Sequence, residues 1–219
     1  MANGFRWIID MLSQGQWQSV LYALNVRVNG LDLEGVGLET LGLSEDHSVH
    51  YCNSGGPDLE RVLKTLHIEP TDKIIDIGCG KGGVLITLAK YPFGLISGVD
   101  ISPQLIGIAH RNINKMNIKN VDLKVGDATT YRDLDRYNYI FFYNPFPSVV
   151  MKSVVSNILA SLGRIPRKIT IIYKNPVCHE DILIGNVFCK TNEFCHSERP
   201  YYIYNNIKIE RICRSSCAP

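Results

Sequence analysis

From residue 72 onward, short apolar runs alternate with longer stretches whose apolar residues recur at helical spacing. The runs Lys73–Ile77, Leu95–Val99, Val121–Val125, Tyr139–Tyr143 and Lys168–Tyr173 predict strands. Between them, Ser102-Pro103 supplies a helix start, with serine as cap and proline in the first turn. Leu105, Ile108, Ala109, Ile113 and Met116 line one face of that helix, and Ser148–Leu162 predicts another. Strand–helix alternation of this kind specifies an α/β domain whose mainly parallel sheet is covered on both faces. Toward the end, Ile182–Phe188 and Tyr201–Ile209 predict two further strands pairing antiparallel at the sheet edge.

The first part of the chain reads differently. Residues 1–25 predict helix, with Phe5, Ile8, Ile9 and Leu12 forming one stripe and Trp17, Val20, Leu21 and Leu24 another. Such stripes are expected to cover the domain's own core; a partner or membrane surface is the rarer use. Apolar residues alternate on both sides of Asn29-Gly30, which predicts a hairpin over Val26–Leu33. Residues 34–56 read as loop, and Pro57–Leu66 as a short helix with Leu59, Val62, Leu63 and Leu66 on one face. The chain thus divides into an extension over 1–56, of helices and a hairpin able to act as a lid, and a ligand-binding domain over 57–219.

Composition narrows the function classes. A length of 219 residues with 45% hydrophobic content suits one α/β domain plus an extension. The net charge of +2 leaves no basic footprint for a nucleic acid, so none is expected as partner. The N-terminus lacks a signal-peptide apolar core, and no apolar run approaches the roughly 18 residues of a membrane span. A cytoplasmic protein is expected. The seven cysteines are scattered without C-x-x-C pairing, so the expectation is no metal site and reduced, mostly buried thiols.

The chemistry concentrates at strand ends. Gly78, Gly80 and Gly83 match G-x-G-x-x-G between a strand and a helix, the turn that lets a backbone approach a cofactor. Asp76 stands at the strand end just before it. A carboxylate there repels the pyrophosphate of a dinucleotide and attracts a cationic head, which favours S-adenosylmethionine over NAD. Asp100 ends the next strand, where a carboxylate can accept hydrogen bonds from ribose hydroxyls. Gly126-Asp127-Ala128 follows the third strand and can serve an adenine amino group. Asn144-Pro145-Phe146-Pro147 follows the fourth. Aspartate after a strand is also a common turn former. The ordered set of strand ends carries the reading, not any one of them.

The arrangement resembles the Rossmann-like S-adenosylmethionine-dependent methyltransferases over roughly residues 57–175. The nearer likeness is to bacterial methyltransferase-domain proteins of unassigned substrate with similar DIGCGKG, GVD-x-S, GDA and YNPF stretches. The resemblance implies a seven-stranded sheet with a reversed final strand and an α-rich N-terminal extension. It implies cofactor contacts from Asp76, Gly78, Cys79, Gly80, Asp100, Ile101, Asp127 and Ala128. It also implies methyl transfer at Asn144, Pro145 and Phe146, which look like the [DN]-P-P-[FYW] motif of enzymes acting on exocyclic amines. Here Phe146 takes the second proline's place and Pro147 the aromatic place, so the stacking ring is missing from its position. The Asn144 oxygen and the Pro145 carbonyl remain able to orient an amine of a protein side chain or small molecule. Tyr51, Tyr143 and Asn175 are candidates to line the acceptor side, with His50 beside Tyr51. Arg164, Arg167 and Lys168 precede a strand at the opposite end and read as solvated surface. The rival readings are an NAD-dependent oxidoreductase and a non-catalytic cofactor-binding scaffold. The apolar N-terminal helices are compatible with a homodimer.

Overall fold

The computed structural model describes residues 11–13, 15–37, 39, 52–144, 146–195 and 199–206. Its centre is a seven-stranded sheet. In chain order the elements are α1 (Trp17–Val28), α2 (Pro57–Leu63), β1 (Lys73–Ile77), α3 (Gly83–Leu88), β2 (Leu95–Asp100), α4 (Pro103–Lys115) and β3 (Val121–Val125). Then come β4 (Tyr139–Tyr143), α5 (Ser148–Arg164), β5 (Thr170–Lys174), α6 (His179–Ile182), β6 (Phe188–Phe194) and β7 (Tyr201–Asn206). The strand order is β3-β2-β1-β4-β5-β7-β6. The first five spatial neighbours pair in parallel; β7 runs antiparallel to β5 and to β6.

Alternate residues of each strand feed opposite faces. Ile75, Ile77, Ile140, Phe142, Ile171 and Tyr173 pack with Val150, Met151, Val154, Val155 and Ile158 of α5. On the other face Ile74, Phe141 and Ile172 pack with Leu59, Val62 and Leu63 of α2, with Val84, Leu85 and Leu88 of α3, and with Ile106 and Ile113 of α4. Both faces are therefore buried, which is why β1, β4 and β5 read as near-continuous apolar runs. Ser102 caps α4 as expected: its side chain accepts from the Leu105 N–H at 3.3 Å.

Two sequence expectations fail for local reasons. The Asn29-Gly30 pair ends a helix and forms no hairpin. α1 continues through Val26–Val28, and Gly30 takes φ +59°. The Leu31 N–H then donates to the Val26 carbonyl at 2.9 Å and the Gly30 N–H to Arg27 at 3.1 Å. That pair of bonds is the Schellman closure of a helix, and the same dipeptide suits it as well as a hairpin turn. Likewise Ile182–Phe188 is not a strand. Gly185 and Asn186 both adopt positive φ, so a short 3₁₀ turn over Ile184–Asn186 follows α6 and the strand begins only at Phe188. β6 is a half-exposed edge, and its polar run hid it from an apolar pattern.

Three smaller readings also change. Of the second N-terminal stripe only Val20 is buried, while Trp17, Leu21 and Leu24 are exposed; Phe5, Ile8 and Ile9 lie outside the described residues. Arg167 is not solvated surface. Its guanidinium donates to the carbonyls of Tyr137, Leu134 and Ile165 and to the Ser161 hydroxyl at 2.7–2.9 Å, tying α5 to the start of β5. Among the described cysteines Cys79 and Cys178 are buried, Cys189 is half-buried, and Cys52 and Cys195 are exposed, so the thiols are not mostly buried.

Asp32 and residues 53–56 are tied to the helices and turn beside β1. Buried Lys81 donates to Asp32 Oδ1 at 2.5 Å. Asn112 of α4 accepts from the Asp32 N–H at 3.0 Å and donates to the carbonyls of Asp32 and Lys81 at 2.9 and 3.0 Å. Residues 53–56 press on α3: the Gly56 N–H donates to Thr87 Oγ1 at 2.8 Å, and Asn53 donates to the Tyr22 hydroxyl at 2.9 Å. A Cβ on Gly55 would sit 2.2 Å from the Gly83 carbonyl oxygen.

The helix-end reading of Asn29-Gly30 has a direct consequence. A Cβ at position 30 meets open space apart from the end of Lys115, so Gly30→Ala introduces backbone strain and no clash. The variant is expected to lose about 1 kcal/mol of unfolding free energy in urea denaturation. An unchanged midpoint would contradict the left-handed cap.

Candidate functional site

The strand order reverses direction between β1 and β4, and crevices at such switch points hold ligands in open α/β sheets. β1 ends in Asp76-Ile77 and runs into the glycine turn. Gly78, Gly80 and Gly82 all take positive φ there, which side chains with a Cβ rarely tolerate. The turn is drawn across to β2: the N–H groups of Gly78 and Cys79 both donate to the Val99 carbonyl, at 2.8 and 3.1 Å. Cys79 is buried beneath it, and a Cβ on Gly98 would approach its sulfur to 2.7 Å. Gly98 is thus required for the turn to lie close over β2.

Two carboxylates sit at this turn. Asp76 is only 2% exposed, and among the described residues no donor reaches its oxygens. Burial pushes its pKa well above the usual carboxylate range, and the neighbouring Asp100 pushes it the same way. Asp100 ends β2. Its two oxygens each accept one backbone N–H, from Gly80 at 2.9 Å and from Ser102 at 2.9 Å. Burial raises its pKa, and those two hydrogen bonds oppose the rise. A nearly buried carboxylate without a donor beside a second acid is costly unless a cation completes it. The pair fits a ligand with a cationic head and hydroxyls, and would repel a pyrophosphate.

The remaining expected cofactor residues frame the same edge. Ile101 follows Asp100 and is 38% exposed, offering a flat apolar contact. Asp127 is exposed at the end of β3, and its Oδ1 accepts from both the Thr129 N–H and hydroxyl, at 2.8 and 2.7 Å. One oxygen is therefore committed to shaping the turn, as an aspartate there commonly is. Ala128 is half-buried, and its carbonyl accepts from Asn157 of α5 at 3.3 Å. This anchors the loop after β3 to the helix behind it.

The residues expected to face an acceptor begin at the end of β4. Asn144 takes φ +36°, a left-handed turn straight off the strand. Asn144, Phe146, Pro147 and Ser148 form one wall of a cleft of about 420 Å³; Val177, Cys178, Glu180 and Asp181 form the other. Phe146 is 8% exposed and packs with Val150 and Met151, so its ring is part of the core as well as the cleft floor. Its carbonyl accepts from the Cys178 thiol at 3.7 Å, joining the two walls. Asp181 is nearly buried, with the Lys152 ammonium 4.0 Å away. Tyr143 precedes Asn144, and Arg199 donates to its hydroxyl. Asn175 takes φ +51°, and its N–H donates to the Pro200 carbonyl at 2.8 Å. Pro145, Tyr51 and His50 lie outside the described residues.

Sequence reasoning missed Arg199 and the Asp32–Lys81–Asn112 knot. Asn112 left a trace, a polar residue within the apolar face of α4. Arg199 left none, since only the folding of β7 against β5 brings it to Tyr143.

Comparison with known proteins agrees with this geometry. A family model described as "Methyltransferase domain" matches residues 68–208. An uncharacterized protein of Rickettsia prowazekii is 36% identical over 118 residues, covering 50% of this chain and 46% of that protein. Human EEF1A lysine methyltransferase 2 is 37% identical over 76 residues, covering 33% of this chain and 32% of its own. The chain thus spans less than half the length of these curated relatives. The solved structure of an RNA methyltransferase from Salinibacter ruber in complex with S-adenosyl-L-homocysteine superposes with a TM-score of 0.54 at 16% identity. That match covers 68% of this chain and 90% of the other, and it shows a shared fold. With the family model spanning well over half its length, the chain belongs to the methyltransferase domain family.

Proposed function

We propose that this chain transfers the methyl group of S-adenosylmethionine to an amine, on a protein side chain or a small molecule. The observation that carries the cofactor is Asp76, a buried carboxylate with no donor among the described residues, beside Asp100. Asp76 would face the cofactor's ammonium. Asp100 would accept its ribose hydroxyls with the lone pairs left free by Gly80 and Ser102. Gly78, Cys79 and Gly80 would bring backbone close to its amino-acid part. Ile101 would pack on the adenine, and Asp127 and Ala128 would meet its edge. When bound, the cofactor supplies an activated methyl group on a sulfonium, so positioning supplies most of the remaining catalysis.

On the acceptor side, Asn144 follows the strand beside the cofactor acids, and its amide oxygen would accept a hydrogen bond from the amine. Such a bond turns the nitrogen lone pair toward the methyl group. Pro145 would offer its carbonyl in the same way, and Tyr51, Tyr143 and Asn175 would line the approach. The acidic residues Glu180 and Asp181 on the far wall of the cleft favour a basic acceptor over a neutral hydroxyl. The likeness to a protein named for lysine methylation supports the same choice. An amine must lose its proton before attack, and a carboxylate on that wall is a suitable acceptor for it.

Two outcomes follow. Burial raises both carboxylate pKa values in the ligand-free site, and a bound ammonium, which favours their charged forms, would expel protons as it binds. Affinity for S-adenosylhomocysteine should therefore strengthen as pH rises from mildly acidic to neutral, by up to about tenfold per pH unit for each proton released. Calorimetry in buffers of different ionisation enthalpy reads that release, and a pH-independent affinity would contradict the role of the acids. Separately, Asn144→Ala should bind S-adenosylhomocysteine as tightly as the parent chain. It should lose at least about a hundredfold in transfer of labelled methyl to amine-bearing fractions of a cell extract. Equal loss of binding and transfer would overturn the assignment of Asn144 to the acceptor.

A further inference from the structure

Tyr143, Lys174 and Tyr201 stand in one row across three neighbouring strands, Tyr143 opposite Lys174 and Lys174 opposite Tyr201. Residues in register share a face of the sheet. It is the face of Asp76, which pairs with Phe141, two residues before Tyr143 on β4. The Lys174 ammonium lies 4.9 Å from the centre of the Tyr143 ring and 5.4 Å from that of Tyr201. Arg199 joins it: besides donating to the Tyr143 hydroxyl, its guanidinium carbon lies 5.8 Å from the same ring.

Two cations thus converge on one phenol at the carboxyl ends of β4 and β5, next to Asn144. Among the described residues Lys174 has no hydrogen-bond partner and no carboxylate at ion-pair distance. Burial pushes its pKa down, and Arg199 pushes it the same way; Asp58 and Cys52 nearby oppose the change. The aromatic cage cannot serve a cationic ligand, because the chain's own ammonium already fills it. Among the described residues this half-buried ammonium meets ring faces and no hydrogen-bond acceptor, and an anion would supply those hydrogen bonds.

We propose that Lys174, supported by Tyr143 and Arg199, binds an anionic group of the methyl acceptor, a carboxylate or a phosphate. Resting on the amine-methylation reading above, this makes the acceptor a molecule with an amine directed to Asn144 and a negative group held one strand further along. Lys174 would set which amines are accepted and would take no part in the transfer itself.

The test uses the full chain with inorganic phosphate and with acetate as probes. Each is titrated while the backbone amide signals of Tyr143 and Asn175 are followed by NMR, with and without S-adenosylhomocysteine. Saturable shifts with phosphate alone assign a phosphate-bearing acceptor, and saturable shifts with acetate alone a carboxylate. Lys174→Gln should weaken that binding at least about tenfold and Lys174→Arg should largely restore it, while both variants bind S-adenosylhomocysteine like the parent chain. Absence of saturation by either probe would overturn the anion site, as would undiminished binding in Lys174→Gln. Failure of S-adenosylhomocysteine to bind would overturn the cofactor reading, and the anion titration would still be readable.

Discussion

A buried carboxylate that no donor among the described residues reaches sets the terms for the rest of the site. Asp76 is the penultimate residue of β1, at the switch point of the sheet, and its neighbours leave it without a donor among the described residues. Burial of that kind opposes ionisation and is tolerated where a ligand supplies the missing charge. The glycine turn leads directly off the strand beside it. It carries three positive-φ glycines, hangs from the Val99 carbonyl, and lies flat because Gly98 has no side chain to lift it. Asp100 is held by the same turn through the Gly80 N–H, so the two acids form one unit.

The acids depend in turn on what packs around them. Asn112 and Lys81 fix the extension to the turn through Asp32, and residues 53–56 press on α3, which starts at Gly83. The candidate site at the ends of the parallel strands is therefore bordered by a segment that precedes them in the chain. On the other side, the turn at Asn144 leads into α5 and forms one wall of the cleft that Val177, Cys178, Glu180 and Asp181 close. The two sides carry different charge: Glu180 and Asp181 line the cleft, while Lys174 and Arg199 stand at Tyr143. A substrate bearing both an amine and an anion would match this division.

Much of this was legible in the sequence. β1 and β4 fall on the residues that apolar runs marked, because a strand buried on both faces leaves a continuous signature, and β3 falls on its marked residues through the alternation of Val121, Leu123 and Val125 with Asp122 and Lys124. The strand ends that carry Asp76 and Asp100, and the glycine turn between β1 and α3, were legible because such features are local. Interactions decided by the folded surface were not. Asn29-Gly30 suits both a hairpin and a helix end, and only the neighbouring helix selects between them. β6 is an exposed edge whose polar residues carry no strand pattern. Arg167 resembled any surface arginine until the carbonyls of Leu134, Tyr137 and Ile165 closed around it. Lys174 and Arg199 meet at Tyr143 only because β5 pairs with both β4 and β7.

The central claim is that Asp76 reads the ammonium of the cofactor. The direct test compares S-adenosylhomocysteine with 5′-methylthioadenosine, which lacks the amino-acid part, on the parent chain and on Asp76→Asn. The account predicts that the substitution weakens S-adenosylhomocysteine at least about tenfold and leaves methylthioadenosine within about twofold. Equal effects on both ligands, or none on either, would show that the buried carboxylate serves the fold and not the cofactor.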